Sequence, residues 1–200
     1  SKALKLTGVV SVLTFADLPP DVKPIPLRMY QLEGLDRFLQ YPLARSKVGY
    51  VGEPVALVVA VDRYVAEDGA DAIAVEYEPL EAVADIETAL RGKVFIHEDQ
   101  GTNLAGGHDI KLGDVDGAFR NAEYTRKEVL RVHRHTGNPM ETRGLLGSYD
   151  AGRNEVTVWG MTKLPHFNRA VLSSLLGLPE HRIHFIEPDV GGGFGIRGEF

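Results

Sequence analysis

Short apolar blocks separated by turn residues run through the first half of the chain. Residues 9–14 form a β-branched run that predicts a strand, and Phe15-Ala16-Asp17-Leu18-Pro19-Pro20 stops it. Pro19, Pro20, Pro24, Pro26 and Pro42 make residues 19–45 extended or looped, since each proline fixes its own φ and removes a backbone donor. Residues 47–51 predict a short strand, Gly52-Glu53-Pro54 a turn, and the unbroken apolar run 55–61 a buried strand. Asp62 reads as the N-cap of a helix reaching about Ile73, where Tyr64, Val65, Asp68, Ala72 and Ile73 give a mixed face. Gly69 weakens that helix by about 1 kcal/mol relative to alanine. Residues 75–77 predict a third short strand, ended by Glu78-Pro79, and Asp85 caps a short helix over 86–90. The order strand, strand, helix, strand predicts a compact α/β unit ending near residue 95.

Residues 97–110 are polar and glycine-rich, which marks them as a domain boundary. A second pattern follows. It comprises a helix over 114–121, a long strand over 123–134, and a hairpin of 144–149 with 155–159 joined by Asp150-Ala151-Gly152-Arg153-Asn154. Residues 165–176 place Phe167, Ala170, Val171, Ser174 and Leu175 at helical spacing, and Gly177 stops the helix. A strand over 182–186 then runs into Asp189-Val190-Gly191-Gly192-Gly193-Phe194-Gly195. No internal repeat or low-complexity segment interrupts this order.

Composition narrows the chemistry. The 200 residues are 44% hydrophobic and 25% charged, with a net charge of -6. Lysine and arginine are scattered, so no basic stripe suits a nucleic acid. The absence of cysteine excludes disulfides, cysteine zinc sites and iron–sulfur ligation within this chain. No apolar run approaches a membrane span, and residues 1–6 carry no signal-peptide pattern, so a cytoplasmic protein is expected.

The most distinctive stretch is Gly193-Phe194-Gly195-Ile196-Arg197-Gly198, a formal G-x-G-x-x-G after a predicted strand. A dinucleotide fingerprint needs a helix opening on the glycines and an acidic residue about 20 positions on, whereas two residues follow Gly198, and Phe194 argues against a tight pyrophosphate cradle. No Gly-Lys-Ser/Thr follows, so it is not a P-loop either. Successive glycines let a backbone approach a ligand and present N–H groups to oxyanions; a plain turn remains the alternative. His133 and His135 would share one face of a strand, with Glu141 as a possible third ligand, but no third ligand is clearly placed and a solvated strand face is the better reading. Glu141 and Arg143, two residues apart, either line a pocket or pair elsewhere. Glu76, Glu78 and Glu81 read as a solvated face.

Taken together these segments resemble one family. Val48-Gly49-Tyr50-Val51-Gly52-Glu53-Pro54-Val55-Ala56-Leu57-Val58-Val59-Ala60 resembles the signature of the small α/β hammerhead domain of aldehyde oxidases and xanthine dehydrogenases. Ala66-Glu67-Asp68-Gly69-Ala70 and Val75-Glu76-Tyr77-Glu78-Pro79-Leu80 continue it. Pro139-Met140-Glu141-Thr142-Arg143-Gly144 is similar to the family's Pro-Met-Glu-Pro-Arg segment. Val158-Trp159-Gly160-Met161-Thr162-Lys163-Leu164-Pro165 is similar to its Val-Trp…Thr-Gln-x-Pro segment, with Lys163 in place of glutamine. Val190-Gly191-Gly192-Gly193-Phe194-Gly195 resembles its active-site loop.

The resemblance implies an α/β (α+β) chain, with a hammerhead domain over 1–95 and the opening part of a molybdopterin-binding domain over 96–200. It implies a molybdenum hydroxylase that oxidises an aldehyde, purine or N-heterocycle with oxygen from water, or a carbon monoxide dehydrogenase large chain. The implied cofactor is molybdenum-molybdopterin, in its cytosine dinucleotide form, and electrons would leave through a 2Fe-2S small subunit and an FAD-binding medium subunit. The loop residues Gly192, Gly193, Phe194 and Gly195 would face the cofactor. Arg197 stands where many members have lysine, and His135 falls near a glutamine that hydrogen-bonds the metal's oxo ligand. The general-base glutamate would lie beyond Phe200, so no catalytic residue and no protein metal ligand is expected here. The expectation is therefore a piece of a longer enzyme, inactive and molybdenum-free by itself. A stand-alone binding or assembly module is the alternative from a different class.

Overall fold

The computed structural model describes residues 2–26, 33–133 and 135–198. Predictions that fall on residues 27–32 and on Arg134 lie outside the described residues. Contacts divide the chain into two compact units, Ser1–Gly107 and His108–Phe200, and no described helix is long and apolar enough to cross a membrane.

In the first unit, β1 (Val9–Leu13) pairs antiparallel with β2 (Leu57–Ala60). The register sets Val9 opposite Ala60 and Leu13 opposite Leu57, with an irregularity between Val9 and Ser11. Helix α1 (Arg63–Asp71) starts where expected, because the Asp62 carboxylate accepts the Val65 N–H at 2.9 Å and satisfies an otherwise unpaired helix donor. The helix lies on this ribbon through Gly69, whose missing side chain leaves room for Val58 and Val9. Helix α2 (Ile86–Arg91) is capped in the same way by Asp85 and stops at Gly92, whose φ of 64° is left-handed. Beside it, the Asn103 amide accepts from Ile96 N–H and donates to the Ala89 and Val94 carbonyls, fixing residues 94–103 against α2.

Three strand expectations are corrected here. Residues 47–51 form no strand: the Ala44 N–H donates to the Pro54 carbonyl and the Gly49 N–H to the Glu53 carboxylate, so this backbone closes on itself. Residues 75–77 are also irregular, with Val75 and Tyr77 exposed, since a strand needs a neighbour to complete its ladder. The run 55–61 does contain a strand, but a shorter and half-exposed one, because a two-stranded ribbon covered by α1 leaves alternate side chains such as Leu57 and Val59 in water.

The second unit opens with α3 (Val115–Asn121), capped by Asp114 onto the Gly117 N–H. Its sheet has the order β3-β4-β5. Strands β3 (Leu146–Asp150) and β4 (Glu155–Trp159) form the expected hairpin, Leu146 opposite Trp159, and the Asp150 carboxylate holds the turn by accepting Gly152 and Arg153 N–H groups. Strand β5 (Ile183–Ile186) runs parallel to β4, reached through helix α4 (Pro165–Leu176). Proline at the helix start and Gly177 at its end, φ 65°, bound α4 as expected. The small core holds Val158, Met161 and Ile183.

Two further expectations fail in this unit. Residues 123–133 contain no strand and are exposed throughout. Tyr124, Leu130 and Val132 share one parity, but no described strand pairs with this segment, and a strand needs a neighbour to complete its ladder. The predicted face of α4 is also rotated. Of the predicted face only Val171 is half-buried, and Phe167, Ala170, Ser174 and Leu175 are exposed, whereas Asn168 is completely buried and Leu172 half-buried. The Asn168 amide donates to the Thr162 carbonyl at 2.8 Å, so a polar side chain is taken inside where a backbone acceptor awaits it.

Candidate functional site

Strand β5 delivers the chain to the glycine-rich loop, and β4 holds it there: Trp159 pairs with Ile186, and the Gly160 N–H donates to the Ile186 carbonyl at 3.1 Å. Both ends of the loop are then tied to residues 137–143. At the entry, the Gly191 N–H donates to the Glu141 carboxylate. A Cβ on Gly191 would stand 2.6 Å from Glu141 Cβ, so only glycine permits this approach. At the exit, Arg143 Nη2 donates to the Ile196 carbonyl at 2.7 Å, and Arg197 Nη2 donates to the Glu141 carbonyl. Gly137 lies under the middle of the loop, where an added Cβ would meet Phe194 Cβ at 2.9 Å and Ile196 Cγ2 at 3.1 Å.

Between those ties the backbone takes a shape that favours glycine. Gly192 and Gly195 have φ of 102° and 88°, and Phe194 shares the left-handed region at 46°. The turn closes where Ile196 N–H donates to the Gly193 carbonyl at 3.0 Å. Space is open at Gly195, where an added Cβ would have no neighbour within 4 Å, and nearly so at Gly193, where only Arg197 Cγ at 3.7 Å approaches. Among the described residues, none accepts a hydrogen bond from the N–H groups of Gly192, Gly193, Phe194 or Gly195. The Arg197 side chain is buried, at 4% exposure, and its Nε has no partner among the described residues.

The loop candidates Gly192, Gly193, Phe194, Gly195 and Arg197 are thus brought together. His135 is exposed two residues before Gly137, and no hydrogen bond or ion pair ties it to the described part of the loop. His133 and His135 are not on a strand, and among the described residues no group of three or more histidine, aspartate or glutamate side chains is arranged to hold a metal ion. Glu141 and Arg143, ambiguous in sequence, resolve as the two side chains that clasp the loop. Their spacing was visible, but their partner lies some 50 residues later in the chain. Gly137 carried no local signal at all.

A backbone span with unpaired N–H groups, open glycine faces and a buried guanidinium can receive a large anionic group. The family model described as "Molybdopterin cofactor-binding domain" matches residues 96–200, which include this whole arrangement, and that described as "Aldehyde oxidase and xanthine dehydrogenase, a/b hammerhead domain" matches residues 1–81. The chain belongs to the aldehyde oxidase and xanthine dehydrogenase family. It is 38% identical to the carbon monoxide dehydrogenase large chain of Afipia carboxidovorans, over 98% of this chain and 25% of that protein. It is also 38% identical to the nicotine 6-hydroxylase large subunit of Paenarthrobacter nicotinovorans, over 98% of this chain and 24% of that one. A crystal structure of a Cu,Mo-CO dehydrogenase superposes with a TM-score of 0.78 at 37% identity, over 98% of this chain and 26% of that one. The chain therefore spans about a quarter of the length of these relatives. The mixed helix and strand architecture of the two family domains is shared with them.

Proposed function

We propose that this chain belongs to the large subunit of a molybdenum hydroxylase and supplies one wall of its cofactor site. The unpaired N–H groups of Gly192, Gly193, Phe194 and Gly195 on a span clasped at both ends carry this reading. They would hold oxygen atoms of a molybdenum-molybdopterin group, in its cytosine dinucleotide form, with the Arg197 guanidinium offsetting its negative charge and His135 donating a hydrogen bond toward it. The residues fit such a group: the loop offers donors, and Arg197 Nε lacks an acceptor among the described residues. When bound, the cofactor supplies two-electron oxidation with oxygen taken from water. The chain's own part is to orient the group and shield one side of it, since no catalytic acid or base is assigned within these 200 residues.

The division we adopt is a hammerhead domain over 1–95 and the opening of the cofactor domain over 96–200, supported by family matches over 1–81 and 96–200. The substrate class is an aldehyde, purine or N-heterocycle, with electrons passing to 2Fe-2S and FAD subunits in the cytoplasm. The 38% identity to a nicotine hydroxylase subunit supports an organic substrate. Equal identity to a carbon monoxide dehydrogenase supports carbon monoxide as the second reading.

The test is elemental analysis and a substrate panel on the full-length protein isolated with its natural partners. One molybdenum per large subunit, with turnover of a member of one substrate class, is expected. A purified complex with no molybdenum overturns the proposal. The 200-residue chain alone is expected to hold none, because the clasped loop is a single wall.

A further inference from the structure

We propose that Glu141 is the positioning residue of the glycine-rich loop, acting through Gly191 and Arg197 rather than touching the cofactor. The inference deepens the function proposed above and rests on it for what the loop holds. Glu141 is the only described residue that reaches both ends of the loop: its carboxylate accepts the Gly191 N–H, and its carbonyl accepts Arg197 Nη2. Its side chain also lies flat on Gly191, where an added Cβ would come within 2.6 Å of Glu141 Cβ and 2.8 Å of Oε2. Arg143, two residues on, adds the bond to the Ile196 carbonyl. The span 192–195 is left between these ties without internal support beyond one turn bond, Ile196 N–H to the Gly193 carbonyl.

Charge explains why a carboxylate suits the entry. It uses one N–H of the run, while Arg143 and Arg197 bond the clasp at backbone carbonyls, of Ile196 and of Glu141 itself. An ionised acceptor makes a stronger bond to a backbone N–H than a neutral one. The geometry of the donors at 192–195 is thereby set before any ligand arrives, which is what preorganised binding requires. A loop tied only at its exit would have to be ordered by the ligand itself.

The experiment compares Glu141→Ala and Glu141→Gln with the unmodified full-length protein, isolated with its partners, by hydrogen exchange and by molybdenum content. In Glu141→Ala, the amides of residues 191–197 are expected to exchange about tenfold faster or more, with protection of β4 and α4 unchanged and molybdenum content reduced. Glu141→Gln keeps an acceptor oxygen and is expected to fall between the two. Unchanged exchange at 191–197 in Glu141→Ala overturns the assignment. Protection lost equally across β4 and α4 makes Glu141 a residue of general stability, and also overturns it. Unmodified protein without molybdenum would instead refute the proposed function, while the exchange comparison would still decide the role of Glu141.

Discussion

Gly69 of α1 lies directly against Val58 of β2: a Cβ built on Gly69 would stand 2.8 Å from Val58 Cγ1 and 3.2 Å from Val9 Cγ2. By propensity alone, alanine at a helix position is worth about 1 kcal/mol over glycine. Here the added methyl enters occupied space, and overpacking costs about 1–3 kcal/mol. Gly69→Ala is therefore expected to lower stability by about 1 kcal/mol net, measured by thermal unfolding. In a Val58→Ala background the same substitution should become neutral or stabilising, because the obstructing Cγ1 is gone. A single Gly69→Ala variant with a raised midpoint would show that the ribbon yields and that the contact sets nothing.

The buried amide of Asn168 makes a second prediction. It is wholly inaccessible and donates to the Thr162 carbonyl at 2.8 Å, just before Lys163, which takes a left-handed φ of 47°. Asn168→Ala removes that donor and leaves a small void, at a cost of about 1–3 kcal/mol. Asn168→Leu keeps the volume but buries no donor, so it is expected to cost about as much, and denaturant unfolding of both variants checks this. A leucine variant as stable as the original would mean that α4 was held by packing alone.

Asn168 also shows what kind of information the sequence held. Helices were legible where a polar cap announced them: Asp62 and Asp85 each sit one residue before the helix they start, and Gly177 ends α4. Those signals act within a few residues. The strands of residues 47–51, 75–77 and 123–133 were misread because a strand is completed by a neighbour, and alternation or β-branching says nothing about whether one is present. The face of α4 was misread because Asn168 finds its partner only after the turn at Thr162 has formed. The same divide runs through the site. The glycines of the loop were visible as a motif, but the clasp by Glu141 and Arg143 joins residues 50 to 56 positions apart and exists only in the fold.

The helix caps are titratable. Asp85 has its pKa lowered, first by the hydrogen bond from the Thr88 side chain and then by the Thr88 backbone N–H; Asp17 is lowered by the Thr14 N–H and hydroxyl. A carboxylate with a lowered folded pKa contributes stability that is complete above the unfolded value of about 3.9. That contribution is lost as the pH falls through the lower folded value. The Thr88 and Thr14 amide resonances are therefore expected to titrate with midpoints below about 3.9. Asp85→Asn keeps a capping oxygen and should flatten the Thr88 titration. A midpoint above that of a free aspartate would contradict the caps.

Phe194 poses the clearest conflict between stability and use. It holds a φ of 46° as a non-glycine residue, and its side chain is 76% exposed. A left-handed conformation costs an L-residue about 1 kcal/mol or more, and little burial offsets that here. Phe194→Gly is accordingly expected to leave the thermal midpoint unchanged or raised, by up to about 1 kcal/mol of stability. The ring, which lies against Gly192, then persists for what it does on its exposed side. In the full-length enzyme the same substitution should reduce turnover by at least about tenfold, equivalent to about 1.4 kcal/mol of lost transition-state stabilisation, while molybdenum content stays near that of the unmodified protein. Steady-state kinetics and elemental analysis on one preparation separate the two effects. Full turnover in a stabilised Phe194→Gly enzyme would leave the strained phenylalanine without a purpose at the site and would move the substrate to the far side of the loop.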